Sequence, residues 1–208
     1  MNRLIEAIEN DSVVSVKKLC KSGIDLSRSI TIGLEYDLED HDQVSVLSYA
    51  IRNYASIELI EVLLEYGCDL HEIDDDGLSS IDIAIKFKRE DIIQYCIDNG
   101  MDVNKSYRKS GITPIVLAAC FNNTSIIELL LKNGAHINAH DGSGMSAKDY
   151  ALKLGQKKTV DFLHEHGAKY NRNTKEANKE AAQEAEKKLK GDMQNRVKPN
   201  DDMGFDSI

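Results

Sequence analysis

A short string that recurs at a fixed spacing constrains this chain more than any other feature. Asn99-Gly100-Met101-Asp102-Val103-Asn104 returns as Asn133-Gly134-Ala135-His136-Ile137-Asn138 and again as His166-Gly167-Ala168-Lys169-Tyr170-Asn171. Looser forms stand earlier, as Tyr66-Gly67-Cys68-Asp69-Leu70-His71 and Ser22-Gly23-Ile24-Asp25-Leu26-Ser27. The last four glycines are 33, 34 and 33 residues apart. Self-similarity at this period means a stack of small units, none of which can bury its apolar face alone.

Each glycine closes a segment with helical apolar spacing. Ile126, Ile127, Leu130 and Leu131 share one side, as do Ile92, Ile93, Cys96 and Ile97, and Leu59, Ile60, Leu63 and Leu64. Glycine just past the last periodic residue is a left-handed helix stop, since it carries no Cβ to clash there. A shorter helix comes before each of these. Thr113-Pro114 opens one, with Thr as N-cap and Pro at the first helical position. Ser79 with Asp82, and Ser146 with Asp149, have capping-box spacing with Asp in place of Glu. Ala84, Ala118 and Ala151 recur in these short helices, where neighbouring helices must approach closely.

The unit is therefore turn, short helix, turn, longer helix, glycine stop. Its best copy carries Gly111-Ile112-Thr113-Pro114-Ile115-Val116-Leu117-Ala118-Ala119. On those residues the chain resembles the ankyrin repeat family, whose motif is G-x-T-P-L-H-x-A-A. The resemblance covers residues 1–173 and implies an all-α solenoid of stacked helix-turn-helix units with short β-hairpin fingers. The repeats fall at about 1–28, 41–73, 74–107, 108–140 and 141–173. Val116, Asp82 and Asp149 stand where the family usually has His, and only the fourth copy keeps Thr-Pro. The first copy starts directly at its helix, as a capping repeat would.

Three stretches depart from the repeat. Residues 29–44 hold about ten more residues than the equivalent place in the regular copies, so an extended acidic loop is expected there. The turn at Tyr54-Ala55-Ser56 reads one residue longer than its counterparts. Beyond Asn173 the spacing ends. Ala177, Ala181, Ala182 and Ala185 among Glu and Lys predict a solvated C-terminal helix over 174–190, followed by a flexible polar tail over 191–208.

Patterns that invite chemistry read better as parts of the repeat. Gly142-Ser143-Gly144-Met145-Ser146-Ala147 fits a dinucleotide fingerprint, but that motif needs a preceding buried strand and the register puts a turn here. His164 and His166 flank Glu165 on a helix, where residues two apart face different ways. Asp74-Asp75-Asp76-Gly77 lacks the alternating ligands and closing Glu of a calcium loop. Cys20, Cys68, Cys96 and Cys120 form no CxxC pair. Cys20 and Cys96 fall on the buried side of second helices; Cys120, at a helix end, has no oriented base in the register. No catalytic, cofactor or metal residue is predicted, and the chain is read as non-enzymatic.

What remains is surface. The resemblance implies that partners are met by the hairpin tips and the concave face. Its register puts Leu78, Ile112 and Met145 at equivalent finger positions, and Phe87, Phe121 and Leu154 at the ends of first helices, with Tyr54 before them. Large apolar residues there predict a partner groove. Charge adds a second feature. The chain has a formal net charge of −9, with 35 Asp and Glu against 26 Lys and Arg. Glu35, Asp37, Glu39, Asp40 and Asp42 fall in one finger segment, and Glu72, Asp74, Asp75 and Asp76 in the next, matching the whole excess. Such a balance argues against nucleic acid as a partner and for a protein with a basic surface.

The expected function is protein–protein binding by a chain that is a monomer when free, in its concrete form an inhibitor or immunity-type protein covering a basic enzyme or toxin. The rival expectation is an assembly scaffold that self-associates through the C-terminal helix. With no secretory apolar core near Met1 and no run long enough to span a membrane, a cytoplasmic location without membrane contact is expected. Export by a specialised secretion system would leave no such mark.

Overall fold

The computed structural model describes residues 1–32 and 42–170, together with Lys179 and Gln183. The chain divides into two units, Met1–Ala168 and Lys169–Ile208. The predicted C-terminal helix and tail lie outside the described residues, except for Lys179 and Gln183, which are helical and exposed.

Ten helices among the described residues form five pairs. They are α1 (Asn2–Glu9) with α2 (Val13–Lys21), α3 (Val46–Arg52) with α4 (Ile57–Glu65), and α5 (Ser80–Lys86) with α6 (Glu90–Asp98). The last two pairs are α7 (Pro114–Cys120) with α8 (Thr124–Lys132), and α9 (Ala147–Lys153) with α10 (Lys157–Glu165). First helices pack on first helices, α3 on α5, α5 on α7 and α7 on α9; second helices pack likewise, α2 on α4 and α6 on α8. This is the all-α repeat stack that the sequence predicts.

Burial follows from that arrangement. A first helix has neighbours on both sides and its own second helix behind it, so α5 buries Ser80 through Ile85 and α7 buries Pro114 through Ala119. Second helices bury one stripe only: Leu59, Ile60, Val62 and Leu63 in α4, and Ile126, Ile127 and Leu130 in α8. One continuous apolar core results, running from Leu4 to Ala168.

Both helices of a copy stop by the same device, a left-handed residue followed by an amide that reaches back into the last turn. After second helices the left-handed residue is Gly23, Gly67, Gly100, Gly134 or Gly167. The next amide then closes the turn, for example Cys68 N–H to Leu63 O at 3.0 Å and Ala135 N–H to Leu130 O at 2.9 Å. After first helices the left-handed residue is Asp11, Tyr54, Lys88, Asn122 or Gly155. There the acceptor is always the carbonyl of a buried alanine: Ala7, Ala50, Ala84, Ala118 and Ala151. In the second copy Ala55 makes this bond, and Ser56 is the extra residue; it caps α4 by accepting from Leu59 N–H at 3.3 Å.

The strands of the fingers are short, and residues 33–41 of the predicted extended acidic loop lie outside the described residues. β1 (Ile30–Ile32) and β2 (Asp42–Val44) pair antiparallel, with Ile30 opposite Val44. Single bridges close the third and fifth fingers, at Ile73–Ser79 and His140–Ser146. Gly142–Ala147 is accordingly a hairpin turn running into α9. The fourth finger has one more residue than its neighbours, and among the described residues no bridge closes it.

Candidate partner-binding surface

Since all first helices end alike, their final residues, caps and left-handed residues form a row across the stack. The row runs Glu9-Asn10-Asp11, Arg52-Asn53-Tyr54, Lys86-Phe87-Lys88, Cys120-Phe121-Asn122 and Lys153-Leu154-Gly155. Tyr54 is 64% exposed, Leu154 52% and Phe121 38%, while Phe87 is half-buried against the core. Leu78, Ile112 and Met145 are half-buried too, but they precede the first helices rather than follow them. A seven-residue helix is about 10 Å long, so the seven predicted apolar residues fall into two rows at opposite ends of the same helices.

The acids also divide. Asp75 and Asp76 are exposed at the third fingertip. Asp74 holds the turn together, its Oδ1 accepting from Asp76 N–H at 3.0 Å and Leu78 N–H at 2.7 Å. Asp141 does the same in the fifth finger for Ser143 N–H and Met145 N–H, and also accepts from Tyr150 Oη at 2.7 Å. Partial burial opposes the Asp141 carboxylate, but these bonds hold its pKa below the ordinary value; the same bond pushes the Tyr150 phenol up to about 12. Asp42 sits in β2, and Glu35, Asp37, Glu39 and Asp40 lie outside the described residues.

Cations on the row of helix ends escaped the sequence reading. The Arg52 guanidinium lies 5.3 Å from the centre of the Phe87 ring in the next copy, and Lys86 Nζ lies 5.9 Å from it. Arg89, only 6% exposed, clamps the long turn of the second copy, donating to Ile51 O at 3.3 Å and Ala55 O at 2.7 Å. Its other bonds go to both Asp91 oxygens, at 2.9 and 2.6 Å, which lowers the Asp91 pKa, and its guanidinium lies 5.7 Å from the Tyr54 ring. The fourth finger is basic as well, with Lys105, Arg108 and Lys109 around an exposed Tyr107. Its single extra residue was the one visible sign in the sequence that this finger differs.

Residues that invited a chemical reading have structural partners. His164 Nδ1 lies 3.1 Å from the Nζ of Lys148, a side chain buried to 1% exposure, whereas His166 stacks on Phe162 at 4.2 Å. Burial pushes the Cys68 and Cys96 thiols up to about 12 and raises Cys20 and Cys120. Thiolate, the nucleophilic form, is therefore scarce at neutral pH. Among the described residues no cluster of His, Cys, Asp and Glu could hold a metal ion, and no helix is long and apolar enough to cross a membrane.

Repeat, stacking and helix stops together define a class, the helical-repeat scaffolds. The model for ankyrin repeats (three copies) matches residues 4–107 and 83–174, and the chain belongs to the ankyrin repeat family. It is 34% identical over 119 residues to an ankyrin repeat protein of Fowlpox virus (strain NVSL), covering 54% of this chain and 34% of that one. It is 30% identical over 138 residues to an ankyrin repeat protein of Rickettsia felis, covering 66% and 44%. The E3 ubiquitin-protein ligase hecd-1 of Caenorhabditis elegans is 33% identical over 102 residues, 49% of this chain and 4% of the ligase. The chain thus spans less than half the length of each of these relatives. Ankyrin repeats are protein–protein interaction modules, and that is the function the family gives this chain.

Proposed function

We propose that the chain binds one partner protein without catalysing a reaction, using the row of first-helix ends for affinity and the acidic fingertips for steering. The observation that carries this reading is the recurrence of a large apolar side chain at the cap of three successive first helices: Phe87, Phe121 and Leu154. A cap of this kind needs no apolar residue for its own geometry, since the second copy uses Asn53 there. Tyr54 extends the row, while Leu78, Ile112 and Met145 flank it across the first helices. Exposed aromatic residues beside half-buried apolar ones are the make-up of interface hot spots. Asp75 and Asp76, with Glu35, Asp37, Glu39, Asp40 and Asp42 in the preceding finger segment, raise the encounter rate with a basic partner. Asp74 contributes charge while holding its turn. In its concrete form this is an inhibitor or immunity-type protein that covers a basic enzyme or toxin, acting as a free monomer in the cytoplasm.

The test is Phe87→Ala with Phe121→Ala against a partner captured by the unaltered chain. Both sites are at least partly exposed, so the double variant should fold. A loss of at least about 2 kcal/mol in binding is expected for two hot-spot residues. Unchanged affinity in a folded double variant would remove this row from the interface.

A further inference from the structure

We propose that the part of this row formed by Arg52, Tyr54, Lys86, Phe87 and Lys88 docks an acidic, aromatic-containing segment of the partner protein. The proposal rests on reading the first-helix ends as the binding surface, and it names the partner chemistry at one stretch of them. A partner that is only basic would suit the fingertips and meet repulsion here.

Three observations converge on this stretch. The first is charge. Arg52, Lys86 and Lys88 bring three cations to adjacent ends of α3 and α5. Of the acids near this stretch, Glu9 accepts from Tyr49 Oη at 2.6 Å, Asp11 accepts from Ser56 N–H and Oγ, and Asp91 is bound by both arms of Arg89, which leaves Glu90 at the head of α6. Cations do favour helix C-termini. That preference does not account for the Arg52 guanidinium lying over Phe87 of the neighbouring copy, or for Lys88, which stands beyond the end of α5. The second is ring presentation. Phe87 has two cations within 6 Å of its centre, so an acidic segment drawn to either cation is brought beside a half-buried aromatic ring.

The exposed ring of Tyr54 is the third. Tyr54 has φ 60°, the left-handed helix stop that Asp11, Lys88, Asn122 and Gly155 supply in the other copies, and none of those four brings a large apolar surface there. The ring so placed is 64% exposed and has the buried Arg89 guanidinium on it at 5.7 Å. An exposed tyrosine ring held on a buried guanidinium has the make-up of an interface anchor. Phe121, the next apolar cap in the row, would receive the aromatic residue of the incoming segment. Short carboxylate segments fit this place better than a polyphosphate strand, which would carry its charge beyond three cations into the field of a chain of net charge −9.

The experiment titrates the full chain, at low salt, into three fluorescent probes: a Glu-rich peptide containing Phe and Leu, the same peptide with Lys for Glu, and a single-stranded oligothymidylate of similar length. The Glu peptide is expected to bind. Its affinity should drop at least about tenfold in Lys86→Glu with Lys88→Glu, both exposed sites, and distinctly less in the charge-matched Lys18→Glu with Lys132→Glu, exposed sites on the second helices α2 and α8. Equal affinity for the Lys86/Lys88 variant overturns the proposal, as does failure of the Glu peptide to bind at about millimolar concentration. Tighter binding of the oligothymidylate would replace the acidic segment with nucleic acid. The broader reading fails separately: there, the Phe87/Phe121 variant keeps its captured partner whatever the peptide does.

Discussion

Thr113 and Ser79 head equivalent first helices, yet only the serine makes a bond there. Ser79 Oγ donates to Asp82 Oδ2 at 2.7 Å while the same carboxylate oxygen accepts from Ser79 N–H at 3.0 Å; Ser146 and Asp149 repeat the arrangement. Thr113 is buried, and its hydroxyl has no partner among the described residues because the facing position is Val116. Thr113→Val should therefore lie within about 0.5 kcal/mol of neutral, whereas Ser79→Ala should cost about 1 kcal/mol or more, both read from urea unfolding. The sequence reads Thr113 as the N-cap of its helix, with Pro114 at the first helical position, in the copy that matches the family motif best. Motif matching weighs residue types one at a time, and a cap is a pair. Tyr150 supplies a pH signature on the same scale. Its phenol titrates at about 12 in the fold and near 10 unfolded, so its contribution is whole below pH 10 and fades as pH rises towards 12. Asp141, with a lowered pKa, contributes above the ordinary carboxylate range and loses that contribution in acid. Tyr150→Phe should lower stability at pH 7 by about 1–2 kcal/mol and narrow its gap to the unaltered chain above pH 10, as measured by urea unfolding at each pH.

Fingers and turns, taken as elements, show what periodicity reveals and what it hides. Glycine stops, the five helix pairs and the long turn at Tyr54 were legible because each is a local pattern with its own residue signature. Contacts between copies were not, because they join residues far apart in sequence. Arg89 clamping the turn of the preceding copy is one case, and Asn104 donating to Gly134 O while accepting from His136 N–H is another. Gly77 shows the difference sharply. It has φ 78°, as expected of a turn glycine, but an added Cβ would also stand 2.6 Å from the carbonyl oxygen of Tyr107 in the next finger. Gly100 has φ 88° with open space around it. Gly100→Ala should cost about 1–2 kcal/mol, the backbone penalty alone, and Gly77→Ala distinctly more, since two fingers must separate. Comparing their urea midpoints decides it, and equal midpoints would mean that the fingers do not pack as described.

For the whole molecule, the formal charge of −9 sits unevenly. Two finger segments hold an excess of acids equal to that figure, the fourth finger is basic, and the row of first-helix ends carries Arg52, Lys86, Lys88 and Lys153. The sequence reads two acidic patches against a neutral remainder; stacking gathers part of that remainder into a cationic stretch of first-helix ends. A partner matched to both would be charged with opposite sign along each, which gives orientation as well as affinity. Ankyrin stacks are joined copy to copy, so a surface spread over copies two to five works only if those copies stay together. The central claim is that a partner seats on the first-helix ends. Hydrogen exchange of the full chain, alone and with a captured partner, tests it most directly. Added protection is predicted at 52–55, 86–89, 120–123 and 153–156, with the second helices α4, α6 and α8 unchanged. Protection confined to those second helices, with the row of first-helix ends unaffected, would contradict it.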